Sequence, residues 1–219
     1  MKSLKTQIKL ALPWYITGVG VLFALVYPLV RGITFYDEIG IALDRIFPFL
    51  SLVLFADTYH GDILGKTAEN FYLRESGRQT GALLARLLWK LGFLSLLFLV
   101  SYRLFLFRSP RLFSVEEIPA VLFWEAAFAV VVGALFWGGL SCFLVNALRS
   151  LWAGVGLGIV LYLALASKHA EKLPAAVNMF AYGIRPDWQS GKIFEASAGV
   201  ALALLSARLA AKSPFRPRW

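Results

Sequence analysis

Six apolar segments constrain this chain more than any other feature of its sequence. A membrane-spanning helix needs about 20 mostly apolar residues, and the chain is 59% hydrophobic and only 16% charged, with a mean hydropathy of +0.68. That is too apolar for a soluble domain of 219 residues. We therefore predict an all-α integral membrane protein that forms a single transmembrane domain. The predicted spans cover about 8–30, 41–59, 91–107, 118–145, 151–167 and 193–211.

The distribution of charge predicts that both termini lie in the cytoplasm. Cytoplasmic loops carry an excess of Lys and Arg, and with the N-terminus inside most of the 22 basic residues fall on the inner side. The basic residues are spread along the ends of apolar segments, so the net charge of +9 reflects membrane topology rather than nucleic-acid binding. We expect a multi-pass protein of a bacterial-type plasma membrane that contacts lipid.

Two further segments are predicted to associate with the membrane without crossing it. The first residues place lysines on one helical face and apolar side chains on another, which favours an N-terminal interfacial helix that turns at Pro13. A frayed basic tail is the alternative. The segment 173–184 is apolar but bounded by Pro174 and Pro186, and is too short to cross a hydrocarbon core of about 30 Å. We predict an outer re-entrant element there.

Charges inside the predicted spans indicate a translocation pathway or outer gate. Each charged side chain raises the free energy of membrane insertion by about 2.5 to 3.5 kcal/mol at mid-membrane, so such residues usually have a functional or structural role. Asp44 and Arg45 lie near the outer end of the second span, Arg103 near that of the third, and Glu125 about two turns into the fourth. Arg103 and Glu125 lie at similar depth, so they are predicted to pair. The alternative is charges that snorkel or only hold helices together.

Motifs for catalysis are weak. The segment Gly61 to Thr67 is one residue short of a phosphate-binding loop and follows a span rather than a strand. His60 and His169 are predicted on opposite sides of the membrane, so they cannot share a metal. Glu116 and Glu117 lack the arginine that follows paired glutamates in membrane-embedded proteases. We expect no catalytic residues and no metal site in this chain.

The charged segment 61–90, between the second and third spans, is the most informative stretch. A transporter without its own motor must receive force through a surface that a soluble partner binds. Residues 68–78 are typical of a short helix that ends in a turn at Gly77, and the amphipathic run 82–90 then leads into the third span. An ordinary solvated loop is the alternative.

The order of these segments resembles the permease subunits of type-2 ABC exporters over nearly the whole chain. In that family an interfacial helix precedes six spans, and the link between spans two and three carries a glutamate, apolar residues, a Pro-x-Ser-Arg turn and a basic residue. The residues in comparable places are Glu69, Phe71, Leu73, Ser76, Gly77, Arg78 and Lys90. Glu75 stands where the family has proline. The segment 141–150 is similar to the family's tight inner turn, and 173–184 to its outer re-entrant helices.

The resemblance implies a mechanism. Two permeases, expected as a homodimer, would surround a central pathway, and two ABC ATP-binding subunits carrying ATP and Mg would drive export. The chain itself would need no cofactor and would not be an enzyme. Contacts to the ATPase are expected from Glu69, Phe71, Leu73, Arg74, Glu75 and Arg78. The cargo would be an amphipathic peptide, an antimicrobial or a lipid.

Two alternatives from other functional classes stay open. One is a six-span substrate-binding module of an uptake system, which fits the long inner segment less well. The other is an intramembrane hydrolase, for which two histidines are too few. Gly154 and Gly158 in the fifth span permit close helix contact, either at a dimer face or within one bundle.

Overall fold

The computed structural model describes residues 8–58, 76–113, 118–167, 172, 174 and 178–212. Within these residues the regular secondary structure is helical, as predicted, and the only extended pairing is an isolated bridge between Phe35 and Arg111. The helices are α1 (Trp14–Val30), α2 (Tyr36–Ala56), α3 (Ser76–Leu106), α4 (Pro119–Leu148), α5 (Leu151–Leu165) and α6 (Trp188–Lys212).

Four of these helices, α2, α3, α4 and α6, are long and apolar enough to cross a membrane. The other two, α1 and α5, are apolar but contain only 17 and 15 residues. The four long helices are those of a multi-pass helical membrane protein. Six complete spans and their orientation stay a prediction.

The chain turns at Pro13, as the sequence predicts. Residues 8–11 are helical, but Pro13 has an extended backbone (φ −63°, ψ 154°) and α1 begins at Trp14. Proline has no backbone N–H to donate within a helix and is tolerated best at a helix start. Residues 1–7, which carry much of the predicted interfacial helix, lie outside the described residues.

The start of α2 lies five residues before its predicted start near Ile41. The reason is a local cap at Glu38, whose Oε2 accepts hydrogen bonds from the backbone N–H groups of Thr34 (2.7 Å) and Phe35 (3.1 Å). These amides precede the helix, and acidic side chains in a first turn also complement the helix dipole. The polar residues Asp37 and Glu38 therefore belong to the helix rather than to the preceding loop.

The helix that contains the third predicted span begins well before Leu91, because α3 is already helical at Ser76. The limits of the span itself stay a prediction. Gly77 lies in the first turn of this helix and does not end one. The sequence prediction excluded residues before Leu91 because they are charged. In the structure Arg86 and Lys90 are buried against the end of α2, where the backbone oxygen of Leu54 accepts a hydrogen bond from Lys90 Nζ at 2.6 Å.

Successive helices run antiparallel, which brings their ends together in two groups. At one end Tyr15, in the first turn of α1, donates a hydrogen bond to Asp57 after α2 (2.5 Å). Asn146, near the end of α4, donates to Ser206 near the end of α6 (2.7 Å). We call this the proximal end. It also holds the α4–α5 turn, where Arg149 adopts a left-handed backbone (φ 52°).

The opposite group of helix ends is the distal end. Here the segments before α2 and after α3 are joined, since Tyr36 N donates to Arg111 O (3.1 Å) and Arg111 N donates to Thr34 O (2.9 Å). Arg108 donates to the backbone oxygen of Leu29 at the end of α1. Residues 178–187, from the predicted re-entrant element and the chain after it, consist mainly of turns here.

The core centres on α4, which packs against α2, α5 and α6. Its Trp137 is fully buried. Close packing depends on glycine on α5: a Cβ on Gly154 would lie 2.6 Å from the backbone of Val145, and one on Gly158 would lie 3.1 Å from Leu52. Both glycines thus permit close helix contact within the bundle, one of the two roles predicted for them.

We expect Gly154→Ala to destabilise the fold by about 1 to 3 kcal/mol, because the added methyl group overlaps the α4 backbone. Gly156→Ala is the matched control: it lies on the same helix with no atom within 4 Å of a Cβ, so it should be neutral or gain up to about 1 kcal/mol of helix propensity. The lone cysteine, Cys142, is buried, so its alkylation rate during denaturant titration reports unfolding. Equal stability of the two variants would contradict the close approach of α4 and α5.

The predicted orientation places the proximal end in the cytoplasm. In a Cys142→Ser background, we expect a membrane-impermeant maleimide to label Arg111→Cys, at the distal end, in intact cells. Lys9→Cys, at the proximal end, should react only after permeabilisation. Both side chains are exposed, so burial does not mask either site. The reverse labelling pattern would place the distal end, rather than the proximal end, in the cytoplasm.

Candidate functional site

Three charged side chains meet inside the bundle. Lys192 Nζ lies 2.8 Å from Asp44 Oδ1 and 3.0 Å from Glu195 Oε2, and it also donates to the backbone oxygen of Met179 at 2.9 Å. All three charged side chains are at most 4% exposed. We call Asp44, Lys192 and Glu195 the charge cluster. It joins α2 to α6, which are far apart in the chain.

Four segments build the charge cluster. Asp44 comes from α2, whereas Lys192 and Glu195 lie one turn apart on α6 and so share a face. Met179 contributes its backbone oxygen from the turns that precede α6. On α4, Gly133 leaves room for the charges: a Cβ there would lie 3.6 Å from Asp44 Oδ1 and 3.7 Å from Lys192 Nζ.

The charge cluster is not balanced when all three groups are ionised, because one ammonium faces two carboxylates. Buried ions are compensated only by close pairing and further hydrogen bonds. Here Glu195 Oε1 has no hydrogen-bond partner within the described parts of the chain. Two acidic acceptors thus share one lysine. Such an arrangement can hold α2 and α6 together, and it can also keep one pair while the other separates.

The four predicted gate residues do not form one site. Asp44 is buried in the charge cluster, whereas Arg45 is exposed and only its backbone oxygen is bound, by the Tyr162 hydroxyl. Arg103 is exposed and lines a cavity of about 290 Å³. Glu125 is half-buried and lines a different cavity, of about 330 Å³.

The structure does not pair Arg103 with Glu125, although their depths along α3 and α4 are similar. No ion pair joins these two described residues. The reason is the face of α4: Phe123 and Trp124 share the cavity of Arg103 beside α3, whereas Glu125 faces the segment around Tyr182. The two side chains therefore line different cavities, and the sequence did not predict which face of α4 each neighbour contacts.

Tyr182 closes the distal side of the bundle. Its ring packs edge-to-face on Trp188, with centroids 4.8 Å apart, and it fills a space that Gly40 leaves open, since a Cβ on Gly40 would lie 2.6 Å from the tyrosine hydroxyl. Burial raises the pKa of Tyr182, and the nearby carboxylates of Glu125 and Asp44 raise it further. The hydroxyl therefore stays protonated at neutral pH.

A second buried ion pair lies at the proximal end. Lys90 Nζ lies 2.5 Å from Asp57 Oδ1, and the Tyr15 hydroxyl donates to Asp57 Oδ2 at 2.5 Å. Lys90 is only 1% exposed. We call Tyr15, Asp57 and Lys90 the Asp57 cluster. It ties α1, α2 and α3 together directly beside the segment that links α2 to α3.

The predicted ATPase contacts fall mostly outside the described residues. Glu69, Phe71, Leu73, Arg74 and Glu75 all lie there. Arg78 is described: it is exposed in the first part of α3, at the proximal end. Its position agrees with a contact to a partner, and the contact itself stays a prediction.

Sequence reasoning missed Lys192, Glu195 and the pairing of Lys90 with Asp57. The predicted sixth span, 193–211, excludes Lys192 and includes Glu195 in its first turn, and neither residue was considered as a site residue. The sequence does contain a pattern that indicates this cluster. Lys192 and Glu195 lie three residues apart at the start of an apolar helix, and Asp44 is an acidic residue within another predicted span. Pairing of that kind offsets part of the cost of burying such charges.

Comparisons with protein-family models, curated proteins and solved structures found no match to this chain. Among the described residues, no group of three His, Cys, Asp or Glu side chains is placed to hold a metal ion.

We expect Lys192→Met to destabilise the protein by about 3 to 5 kcal/mol, because it leaves two buried carboxylates without a counter-ion. The charge-free triple variant Asp44→Asn, Lys192→Met, Glu195→Gln should recover much of that loss. Denaturant unfolding followed by Cys142 alkylation measures both.

Arg208→Met is the matched control, since Arg208 is exposed on the same helix and its change should stay within about 0.5 kcal/mol. A triple variant as unstable as Lys192→Met would show that packing, rather than charge, sets the cost.

Proposed function

We propose that this chain is the transmembrane permease subunit of an ATP-driven exporter of the type-2 ABC class. The observation that carries the proposal is the unbroken helix α3, which runs from the link after α2 at the proximal end to the distal end. Its 31 residues span about 46 Å, more than a hydrocarbon core of about 30 Å. In this proposal, displacement of α3 by a partner at the proximal end moves the same rigid helix at the distal end.

Contacts along α3 pass such a movement to its neighbours. Near its start, Leu83 belongs to a buried cluster with Ala207 and Ala210 of α6. One to two turns later, Lys90 is held by Asp57 after α2. The same two neighbours, α2 and α6, are joined again by the charge cluster. Displacement of α3 at the proximal end is therefore coupled to the buried charges.

In this proposal the proximal end faces the cytoplasm of a bacterial-type cell. Two ABC ATP-binding subunits bind there, at the segment that includes Glu69 to Arg78, and supply ATP and Mg, while this chain holds no cofactor. A second copy of the permease completes the pathway as a homodimer. The cargo class is an amphipathic peptide, an antimicrobial or a lipid. Asp44 acts in this scheme as part of an internal latch rather than as a solvent-facing gate.

The proposal predicts that an ABC ATP-binding subunit co-purifies with the tagged full chain from its native membrane. Arg78→Glu should lower its recovery about tenfold, which corresponds to roughly 1.4 kcal/mol, because charge reversal at a contact juxtaposes like charges or removes an ion pair. Mass spectrometry of the purified complex measures the ratio of subunits.

Arg78→Lys keeps the charge and should keep most of the recovery. Arg111→Glu makes the same reversal on an exposed arginine at the distal end and should leave recovery unchanged. If no ATP-binding subunit is recovered with the unmodified chain, the proposal fails. Tight binding of a small molecule by the isolated chain would instead favour the substrate-binding module of an uptake system.

A further inference from the structure

A cavity between α3 and α4 at the distal end has no role in the transport proposal. Its volume is about 290 Å³, and its walls include the aromatic rings of Tyr36, Tyr102, Phe123 and Trp124. Among the described residues that line it, only Arg103 is charged. We call it the Arg103 cavity. It lies at the small end of the range for ligand sites in proteins.

Arg103 differs from the buried cations of this chain. Lys90 and Lys192 are each held by a carboxylate, whereas Arg103 makes no ion pair with any residue that the structure describes. A guanidinium presents planar donors that match phosphate oxygens in a bidentate geometry. The cavity therefore offers an anion a guanidinium that no carboxylate of the described residues occupies.

The depth of the Arg103 cavity fits the membrane interface. Arg103 lies one turn before the end of α3, near the outer end of the predicted third span, 91–107. Tyrosine and tryptophan are enriched at that level, because their rings lie among apolar chains and their polar groups among headgroups. Trp124 is 70% exposed, so the cavity is accessible at its rim.

We propose that the Arg103 cavity binds the phosphate-bearing headgroup of an anionic phospholipid from the distal leaflet. The walls decide between a lipid and a soluble anion, because aromatic and aliphatic surface stabilises the glycerol and first acyl carbons but gains nothing from inorganic phosphate. A cavity of about 290 Å³ holds the headgroup region, while the acyl chains remain in the bilayer. This site is independent of the proposed function and of its cargo.

Tryptophan quenching tests the site. The full chain is reconstituted in phosphatidylcholine nanodiscs that contain brominated phosphatidylglycerol or brominated phosphatidylcholine. The chain has 7 tryptophans, so the difference between the parent protein and Trp124→Phe isolates the signal of Trp124. We expect brominated phosphatidylglycerol to quench half of this signal at about a fivefold lower mole fraction than brominated phosphatidylcholine does. This is the preference for an anionic lipid that one arginine near the surface provides.

Arg103→Gln should remove the preference, and Arg103→Lys should keep part of it. Arg111→Gln is the matched control, because Arg111 is exposed at the distal end but does not line the cavity. Equal quenching by the two lipids in the parent protein overturns the proposal without reference to any arginine variant. Equal loss of the preference in both Gln variants also overturns it, because general surface charge would then explain the preference. Absence of Trp124 quenching by either lipid overturns it as well, because protein would then cover the cavity.

Discussion

The cost of burying charge in an apolar bundle governs this structure. Lys90 and Lys192 are each at most 2% exposed. Burying an unpaired charge costs so much free energy that buried charges are normally paired. Each lysine meets a carboxylate and a backbone oxygen. The two pairs set the contacts of α2, with α3 through Asp57 and with α6 through Asp44, while Glu195 gives Lys192 a second carboxylate from its own helix.

The two ion pairs give α2 its central position. Asp44 and Asp57 lie about 20 Å apart along the helix axis, one within α2 and the other just beyond it. The first binds α6, and the second binds α3 and α1. The helix α2 thus connects the proximal end, beside the predicted partner surface, to the buried charges. Buried ion pairs are weak evidence for stability, so we interpret these two pairs as setting the positions of the helices that they join.

The sequence predicts the helices well and their contacts poorly, for physical reasons. Apolar length fixes where helices lie, so the positions of α4 and α5 and the turn at Pro13 were predictable. Charge, however, was interpreted as exposure, so neither the helical residues of α3 before Leu91 nor the burial of Lys192 was predicted. Whether a lysine is solvated or paired depends on a residue far away in the chain, such as Asp57 for Lys90. Local patterns do not contain that information.

The backbone of α2 has its weakest point between the two ion pairs. Pro48 lies within the helix, where it removes one backbone hydrogen bond and crowds the preceding turn. The backbone oxygen that loses its usual donor is that of Asp44, one turn earlier. Ser51 donates to the Pro48 oxygen at 2.7 Å, and the Pro48 ring packs where Gly133 leaves room. Kinks in helices concentrate at such prolines. In the proposed transport mechanism, a movement delivered at Asp57 would have to pass Pro48 to reach Asp44, so the proline lies on the route between the two clusters.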